Sequence, residues 1–121
     1  MGAKILIVDD SKAMRMIVRR HVESARLPDV EIVEAGNGQE ALDAVHADCP
    51  DLIFSDWNMP EMNGIDLLKA LRAEGNNVRF GFVTSESQPH MKDLALDAGA
   101  LFLIVKPFTA EDFQAVIARV V

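Results

Sequence analysis

Short hydrophobic runs alternate with longer amphipathic stretches along the whole chain. The short runs are apolar at consecutive positions, a pattern typical of strands that are buried on both faces of a parallel sheet. They predict five strands: Lys4 to Val8, Glu31 to Glu34, Leu52 to Ser55, Arg79 to Val83 and Leu101 to Val105. The stretches between the strands place apolar residues three or four positions apart, which predicts amphipathic helices.

Each predicted helix carries an apolar stripe that would pack against the sheet. The stripes are Met14, Ile17, Val18, Val22 and Ala25; Ala41, Leu42 and Val45; Ile65, Leu68 and Leu71; Met91, Leu94, Ala95 and Ala98; and Phe113, Val116, Ile117 and Val120. Pro89 suits the first turn of the fourth helix, and Gly99 suits its carboxyl end. Thr109 and Asp112 have the spacing of a capping box at the start of the last helix. These local signals agree with the stripes.

The strict alternation of strands and helices predicts one α/β domain that spans residues 1–121. Right-handed crossovers would place helices on both faces of a doubly wound sheet of five parallel strands. The functional loops of such sheets lie at the carboxyl ends of the strands. The residues directly after each strand are therefore the first candidates for chemistry.

The composition excludes several classes of protein. The 121 residues include 12 basic and 19 acidic side chains, giving a net charge of −7 without a basic patch, so direct nucleic-acid binding is not expected. No apolar run approaches the roughly 20 residues that span a bilayer. The single cysteine, Cys49, cannot form an internal disulfide and fits a reducing compartment. We therefore expect a cytoplasmic monomer without membrane association.

Charged and hydroxyl side chains follow four of the five predicted strands. Asp9 and Asp10 follow the first strand, Asp56 the third, Thr84 the fourth and Lys106 the fifth. Carboxylates that meet at one edge of a sheet repel one another, and either a retained proton or a bound cation relieves the repulsion. Hard oxygen ligands without imidazole or thiolate favour Mg²⁺, with Mn²⁺ as an alternative, over zinc. Free coordination positions on such an ion suit phosphoryl oxygens.

Each of these residues also has an ordinary structural explanation. Acidic residues at strand ends are often solvated loop residues, and Asp10 or Ser11 could simply cap the first helix. The second strand ends in an uncharged turn at 35–38, so this strand is expected at the border of the sheet, away from the site. The joint arrangement is more specific than any of its members.

Four ordered motifs resemble those of the receiver domains of two-component response regulators, over essentially the whole chain. The motifs are Ile7-Val8-Asp9-Asp10-Ser11, Asp56-Trp57-Asn58-Met59-Pro60 with Gly64, Val83-Thr84-Ser85-Glu86 and Lys106-Pro107-Phe108. The resemblance, which extends to chemotaxis-type single-domain receivers, implies a flavodoxin-like sheet with strand order 2-1-3-4-5 and a cis peptide bond before Pro107. It implies a phosphoacceptor signalling domain rather than an enzyme, although such a domain catalyses its own phosphorylation and dephosphorylation.

The resemblance also implies the roles of the site residues. Asp56 would accept a phosphoryl group from the phosphohistidine of a histidine kinase or a phosphotransfer protein. Asp10, Asp56 and the backbone carbonyl of Asn58 would ligate Mg²⁺, with Asp9 acting through water. Lys106 would offset the charge that builds on the phosphoryl oxygens during transfer.

Phosphorylation would be transmitted to an unknown downstream protein. Thr84 would move towards the phosphoryl group and repack the face formed by the fourth helix, the fifth strand and the fifth helix. On this face Leu103 stands where the family often has an aromatic switch residue, which argues against flagellar-motor binding. Phe102 is either ordinary strand core or, with Leu101, part of an apolar docking patch.

Two further positions bear on the lifetime of the acyl phosphate. Asn58 and Glu86 lie two residues beyond Asp56 and Thr84, and the family uses such positions to tune the approach of water. Use of the domain as a phosphoryl relay or sink is an alternative to use as a switch.

Three other hypotheses fit the residues less well. A haloacid-dehalogenase-type aspartyl phosphatase would need a second aspartate where Asn58 stands. A flavin or nucleotide module would need a P-loop or a complete glycine fingerprint, and the turn at 36–38 lacks the third glycine at the required spacing. A scaffold that works without phosphorylation would not need the complete acidic and basic set.

Overall fold

The computed structural model describes residues 2–85 and 88–120. Its strands, β1 to β5 in chain order, are Lys4–Val8, Glu31–Ala35, Leu52–Ser55, Arg79–Thr84 and Phe102–Val105. Its helices, α1 to α5, are Lys12–Glu23, Gly38–Ala47, Gly64–Ala73, Pro89–Asp97 and Ala110–Val120. Strands and helices alternate strictly throughout this part of the chain, as the hydrophobic pattern predicts.

The five strands form one sheet in the order β2-β1-β3-β4-β5, and every neighbouring pair is parallel. This confirms the predicted doubly wound fold and its strand order. Strands β1 and β3 are adjacent near the centre, where Val8 pairs with Ser55. The loops that follow these two strands therefore begin side by side at one edge of the sheet.

The sheet separates two layers of buried side chains. One layer, which includes Leu68 and Phe82, lies between the sheet and the helices α2, α3 and α4. The other, which includes Phe54 and Phe113, lies between the sheet and the helices α1 and α5. Burial of large apolar side chains on both faces explains why the strands are apolar at consecutive positions.

Two strands extend one residue beyond their predicted ends, and one begins a residue later. Ala35 belongs to β2 because it pairs with Val8, and Thr84 belongs to β4 because it pairs with Val105. Leu101 was predicted to open β5 but precedes it and is 45% exposed. The ends of these strands thus depend on pairing between strands, which local hydrophobicity does not report.

Two members of the predicted apolar stripes lie outside the core. Ile17 is 41% exposed and Leu94 is 49% exposed. The buried face of α1 is centred on Val18 and Val22, so its neighbour Ile17 falls to the side, about 100° around the helix. The predicted core contribution of Ile17 and Leu94 is therefore wrong.

The predicted helix signals take their expected places. Pro89 is the first residue of α4, and Gly99, just past its end, has a φ of +105°. Thr109 and Asp112 form the capping box of α5, in which the Thr109 N–H donates to Asp112 Oδ2 over 2.8 Å and the Asp112 N–H donates to Thr109 Oγ1 over 3.3 Å. The Lys106–Pro107 peptide bond is cis, as the resemblance implies. None of the helices in residues 2–85 and 88–120 is long and apolar enough to cross a membrane.

Candidate functional site

Three carboxylates meet at the carboxyl edge of the two central strands. Asp9 and Asp10 directly follow β1, and Asp56 directly follows β3. One oxygen from each carboxylate lies within 4.8 Å of the others. Asp9 is buried, Asp56 is half-buried and Asp10 is exposed. A hard divalent cation requires several oxygen ligands and a path from solvent. Three neighbouring carboxylates, of which one is buried and one is exposed, meet both requirements.

Backbone groups hold two of the three carboxylates in place. The N–H of Ser11 donates to Asp9 Oδ1 over 2.8 Å, and the N–H of Trp57 donates to Asp56 Oδ1 over 2.7 Å. Ser11 also caps α1, since its hydroxyl accepts from the N–H of Met14 over 3.2 Å. The cap is therefore Ser11 rather than Asp10, which leaves the Asp10 carboxylate to the cluster.

The electrostatics of the cluster favour a cation or a proton. The pKa of Asp9 is raised to about 6, mainly by burial and in smaller part by the charges of Asp56 and Asp10, while the hydrogen bond from Ser11 opposes the rise. Burial is also the main reason that the pKa of Asp56 lies above its usual range, although N–H groups of its own loop and the charge of Lys106 oppose the rise. Both raised pKa values mean that the cluster is unfavourable when all its carboxylates are ionised and no cation is bound.

A cleft of about 170 Å³ joins the carboxylates to the lysine after β5. Its lining consists of Asp9, Asp10, Ser11, Met14, Asp56, Val83, Ser85 and Lys106. Thr84, the last residue of β4, is buried, and its carbonyl accepts from the N–H of Lys106 over 3.0 Å. The structure therefore brings together the predicted carboxylates and ammonium on one cleft, with the predicted hydroxyl residue at the strand end beside it.

The loop that carries Asp56 is held tightly against α3. The N–H of Gly64, the first residue of that helix, donates to the carbonyl of Trp57 over 2.8 Å. A Cβ atom at Gly64 would overlap the carbonyl of Asp56, so glycine is required there for steric reasons. The Trp57 ring packs on Phe82 with 4.7 Å between ring centroids. The indole is thereby fixed one residue away from the candidate phosphoacceptor.

Sequence reasoning missed three residues of this region. Met14 and Ser85 line the cleft, although Met14 was predicted only as part of an apolar stripe and Ser85 only as part of a motif. Arg15 was not singled out, yet its Nη1 donates to the carbonyl of Asp9 over 2.6 Å. Its Nε donates to Glu34 Oε1 of β2 over 2.9 Å. Strand β2 lies at the border of the sheet, as its uncharged turn predicted. It is nevertheless linked to the site through Arg15, which the turn did not indicate.

The remaining predicted residues lie around the site. Asn58 is exposed on the loop after Asp56, and its backbone N–H stabilises the Asp56 carboxylate. Phe102 is buried in the layer under α1 and α5, whereas the neighbouring Leu103 packs against the opposite layer. Glu86 lies outside the described residues.

A shallow cavity of about 630 Å³ lies on the face formed by α4, β5 and α5. Leu96, Leu101 and Leu103 contribute apolar surface to its lining, and Lys92 and Arg119 contribute charge. Leu96 and Leu101 are each 45% exposed. The two interpretations of residues 101 and 102 each hold for one of them. Phe102 belongs to the strand core, whereas Leu101 is an apolar residue at the surface.

The sequence is similar to chemotaxis response regulators over most of its length. The profile described as "Response regulator receiver domain" matches residues 5–118. Chemotaxis protein CheY1 of Helicobacter pylori is 39% identical over 111 residues, which cover 89% of this chain and 88% of the relative. Chemotaxis protein CheY of Pseudomonas aeruginosa is 38% identical over 119 residues, covering 97% and 94%.

Solved structures show the same similarity in three dimensions. Chemotaxis protein CheY4 of Vibrio cholerae superposes with a TM-score of 0.88 at 33% identity, and each chain is covered in full. The receiver domain of the putative response regulator NarL of Mycobacterium tuberculosis superposes with a TM-score of 0.86 at 25% identity, with 97% of this chain and 94% of that chain covered. Sequence and fold therefore agree that the chain belongs to the response regulator receiver domain family and is of the CheY type.

Proposed function

We propose that Asp56 accepts a phosphoryl group from the phosphohistidine of a histidine kinase or a phosphotransfer protein. A receiver domain of the CheY type acts in two-component signalling, which implies such a partner and a downstream target. The observation that carries the proposal is the convergence of three carboxylates within 4.8 Å on the cleft that Lys106 also lines. The family membership leaves the haloacid-dehalogenase alternative without support.

The transfer itself needs no external base. An ionised oxygen of Asp56 attacks phosphorus, a new P–O bond forms, and the P–N bond to the donor imidazole breaks. The electron pair of the broken bond returns to the imidazole nitrogen, which leaves as a neutral or protonated ring. Hydrogen bonds from the loop N–H groups hold the Asp56 carboxylate in one orientation for the attack.

Receiver domains bind Mg²⁺ at this acidic pocket, and the donor set of this chain fits that ion. Asp10, Asp56 and the carbonyl of Asn58 would supply direct ligands, and Asp9 would act through water. Mn²⁺ has the same preference for oxygen ligands and is the expected substitute. When bound, the ion neutralises carboxylate charge and orients the phosphoryl oxygens.

Lys106 and Thr84 would respond to the phosphoryl group from the two neighbouring strands. The Lys106 ammonium offsets negative charge on the phosphoryl oxygens. The Thr84 hydroxyl would donate to one of these oxygens. Because the N–H of Lys106 donates to the carbonyl of Thr84, the two strand ends would move together. Phosphorylation would thereby bias the packing of the two strand ends only through the contacts that the phosphoryl group adds.

The face formed by α4, β5 and α5 is the surface through which we propose that the signal reaches a protein target in the cytoplasm. Leu103 lines its cavity from β5, the strand that Lys106 directly follows, and Leu101 adds an exposed apolar group. Leucine at position 103 supplies neither a ring nor a hydroxyl, so we do not propose the flagellar motor as the target. Asn58 and Glu86 would set how quickly water removes the phosphoryl group.

Labelling with a small phosphodonor tests the nucleophile directly. Acetyl phosphate with Mg²⁺ should add one phosphoryl group to the wild-type protein, detected by intact mass, and peptide mapping should locate it on Asp56. Asp56→Asn should not be labelled. Asp43→Asn, which removes an exposed carboxylate on α2, should be labelled as the wild type is. Persistent labelling of Asp56→Asn would assign the nucleophile to another residue.

A further inference from the structure

Arg15 connects strand β2 to the backbone of the carboxylate loop. Its Nη1 donates to the carbonyl oxygen of Asp9 over 2.6 Å, and its Nε donates to Glu34 Oε1 over 2.9 Å. The side chain is largely buried, with 17% of its surface exposed. One planar guanidinium therefore spans a fixed distance between a charged residue of the sheet and the first acidic residue of the site.

Glu34 is itself held by a second arginine. Its other oxygen, Oε2, accepts from Arg19 Nε over 2.9 Å, and Arg19 Nη2 also donates to the carbonyl of Ile32 over 3.2 Å. The two arginines share the same carboxylate, but within the described residues Arg19 donates only to groups of β2, whereas Arg15 also donates to Asp9. Arg19 thus provides a matched comparison for Arg15.

The peptide group that follows Asp9 is anchored by this contact. The Asp9 N–H donates to the carbonyl of Ala35 over 3.1 Å, and its side chain accepts from Ser11, so Arg15 completes the set of contacts around this residue. The carbonyl bound by Arg15 belongs to the peptide bond between Asp9 and Asp10. The orientation of this peptide bond therefore sets the position of the Asp10 Cα atom. Without such a contact, repulsion between the carboxylates would favour a larger separation of Asp9 and Asp10 from Asp56.

We propose that Arg15 is a positioning residue of the metal site: fixed by Glu34, it holds the Asp9–Asp10 peptide so that the carboxylates stay close enough to share one cation. The inference rests on the proposed function, because it concerns the same Mg²⁺ site. It adds a residue of α1 and a residue of β2 that act without touching the ion.

If Arg15 acted only through its charge, its removal would change Mg²⁺ affinity in the opposite direction. Mg²⁺ affinity therefore distinguishes a charge effect from a positioning role. A cation next to the site repels Mg²⁺, so removal of the Arg15 charge would tighten binding if charge alone mattered. Loss of positioning weakens binding instead. Arg15→Met removes the charge and the hydrogen bonds, whereas Arg15→Lys keeps the charge but cannot reproduce the rigid two-sided contact.

The experiment is a Mg²⁺ titration of the metal-free protein, followed by the fluorescence of Trp57, which is the single tryptophan of the chain. We expect both Arg15 variants to bind Mg²⁺ about tenfold more weakly than the wild type, as is usual when partners of ligating groups are removed. Arg19→Lys should stay within about twofold, since the contacts of Asp9 are unaffected. Far-UV circular dichroism and thermal melting without metal would verify that the variants are folded.

The outcomes separate the inference from the proposed function. Wild-type affinity in Arg15→Lys, together with tighter binding in Arg15→Met, would overturn the positioning role and leave the metal site intact. Absence of Mg²⁺ binding by the wild type would overturn both. If the Arg15 variants do not fold, Glu34→Gln carries the test, since it weakens the hold on Arg15 but keeps the arginine. Weaker Mg²⁺ binding by folded Glu34→Gln supports positioning, and unchanged binding contradicts it.

Discussion

Gly81 of β4 lies directly opposite Phe102 of β5, and the phenyl ring occupies the space that a side chain at position 81 would fill. A glycine inside a buried strand weakens the strand unless a neighbour uses the vacated space. Phe102 is that neighbour, and its ring also packs on Phe54 with 5.4 Å between centroids. The pair thus joins β4, which ends at Thr84, to β5, which directly precedes Lys106.

Gly81→Ala should destabilise the protein by about 1–3 kcal/mol, since the added methyl group overlaps the Phe102 ring in a close-packed layer. Urea denaturation would measure the loss. Gly36→Ala is a suitable control, because a Cβ atom there would meet no neighbour closer than 3.6 Å. The Gly81→Ala change should cost less in a Phe102→Leu background. An equal cost in both backgrounds would show that the ring is not the obstacle.

Asp10→Asn should stabilise the metal-free protein while it weakens the response to Mg²⁺. In the absence of a cation, the charge of Asp10 disfavours ionisation of Asp9 and Asp56, so its removal relieves repulsion in the folded state. We expect the melting temperature in EDTA to rise by about 2–4 °C. Addition of Mg²⁺ should raise the melting temperature of the wild type more than that of the variant. A variant that melts lower than the wild type in EDTA would contradict net repulsion in the cluster.

Lys106→Ala should retain some phosphorylation but lose much of the conformational response. The ammonium lies on the cleft with the carboxylates, and loss of one charged donor typically slows a reaction about 10²-fold. The rate would be measured by intact mass with acetyl phosphate. The response would be measured from methyl NMR shifts of Leu103 on addition of beryllofluoride. Lys69→Ala removes the same charge from α3 and should change neither; equal responses in Lys106→Ala and the wild type would exclude the lysine from the switch.

Glu34 should contribute stability that depends on pH. Burial alone would raise its pKa, but the hydrogen bonds and charges of Arg19 and Arg15 outweigh burial and hold the pKa below the ordinary value of 4.5. The folded state therefore binds a proton at Glu34 less readily than the unfolded state does. The stabilisation from Glu34 is fully present above the unfolded-state pKa of 4.5 and is lost as the pH falls through the lower, folded-state pKa.

Comparison of the wild type with Glu34→Gln isolates this contribution. Near neutral pH we expect the wild type to be more stable by about 1 kcal/mol in urea denaturation. The difference should shrink as the pH is lowered below 4.5, where Glu34 becomes protonated and resembles the amide. The stability difference should also shrink at high salt, because the ion pairs of Glu34 with Arg15 and Arg19 are partly exposed. A difference that stays constant with pH would show that the ion pairs do not stabilise the fold.

The fold was predictable because each level of the sequence carries the same information. Consecutive apolar residues in Lys4–Val8 and Leu52–Ser55 indicate strands covered on both faces, and Pro89 and Gly99 delimit the helix between β4 and β5. Family membership and strand order are confirmed. The exposure of Ile17 was not predictable, because the apolar period defines one side of a helix but not how much of it the neighbouring elements cover.

The site was predictable as far as it depends on strand ends. Asp9, Asp10 and Asp56 meet because parallel strands place their carboxyl ends at one edge, and the strand assignment was sufficient to infer this. The contact of Arg15 with Glu34 was not predictable, since it requires the turn of α1 and the register of β2 to be known together.

Consecutive residues of β5 belong to opposite sides of the sheet. Phe102 and Ile104 pack under α1 and α5, whereas Leu103 packs with the layer under α2, α3 and α4. Successive side chains of a strand point to opposite faces, so any displacement of β5 would change the packing of both layers. A structural change that begins beside Lys106 would therefore extend to the helices on both faces of the sheet rather than to one face alone.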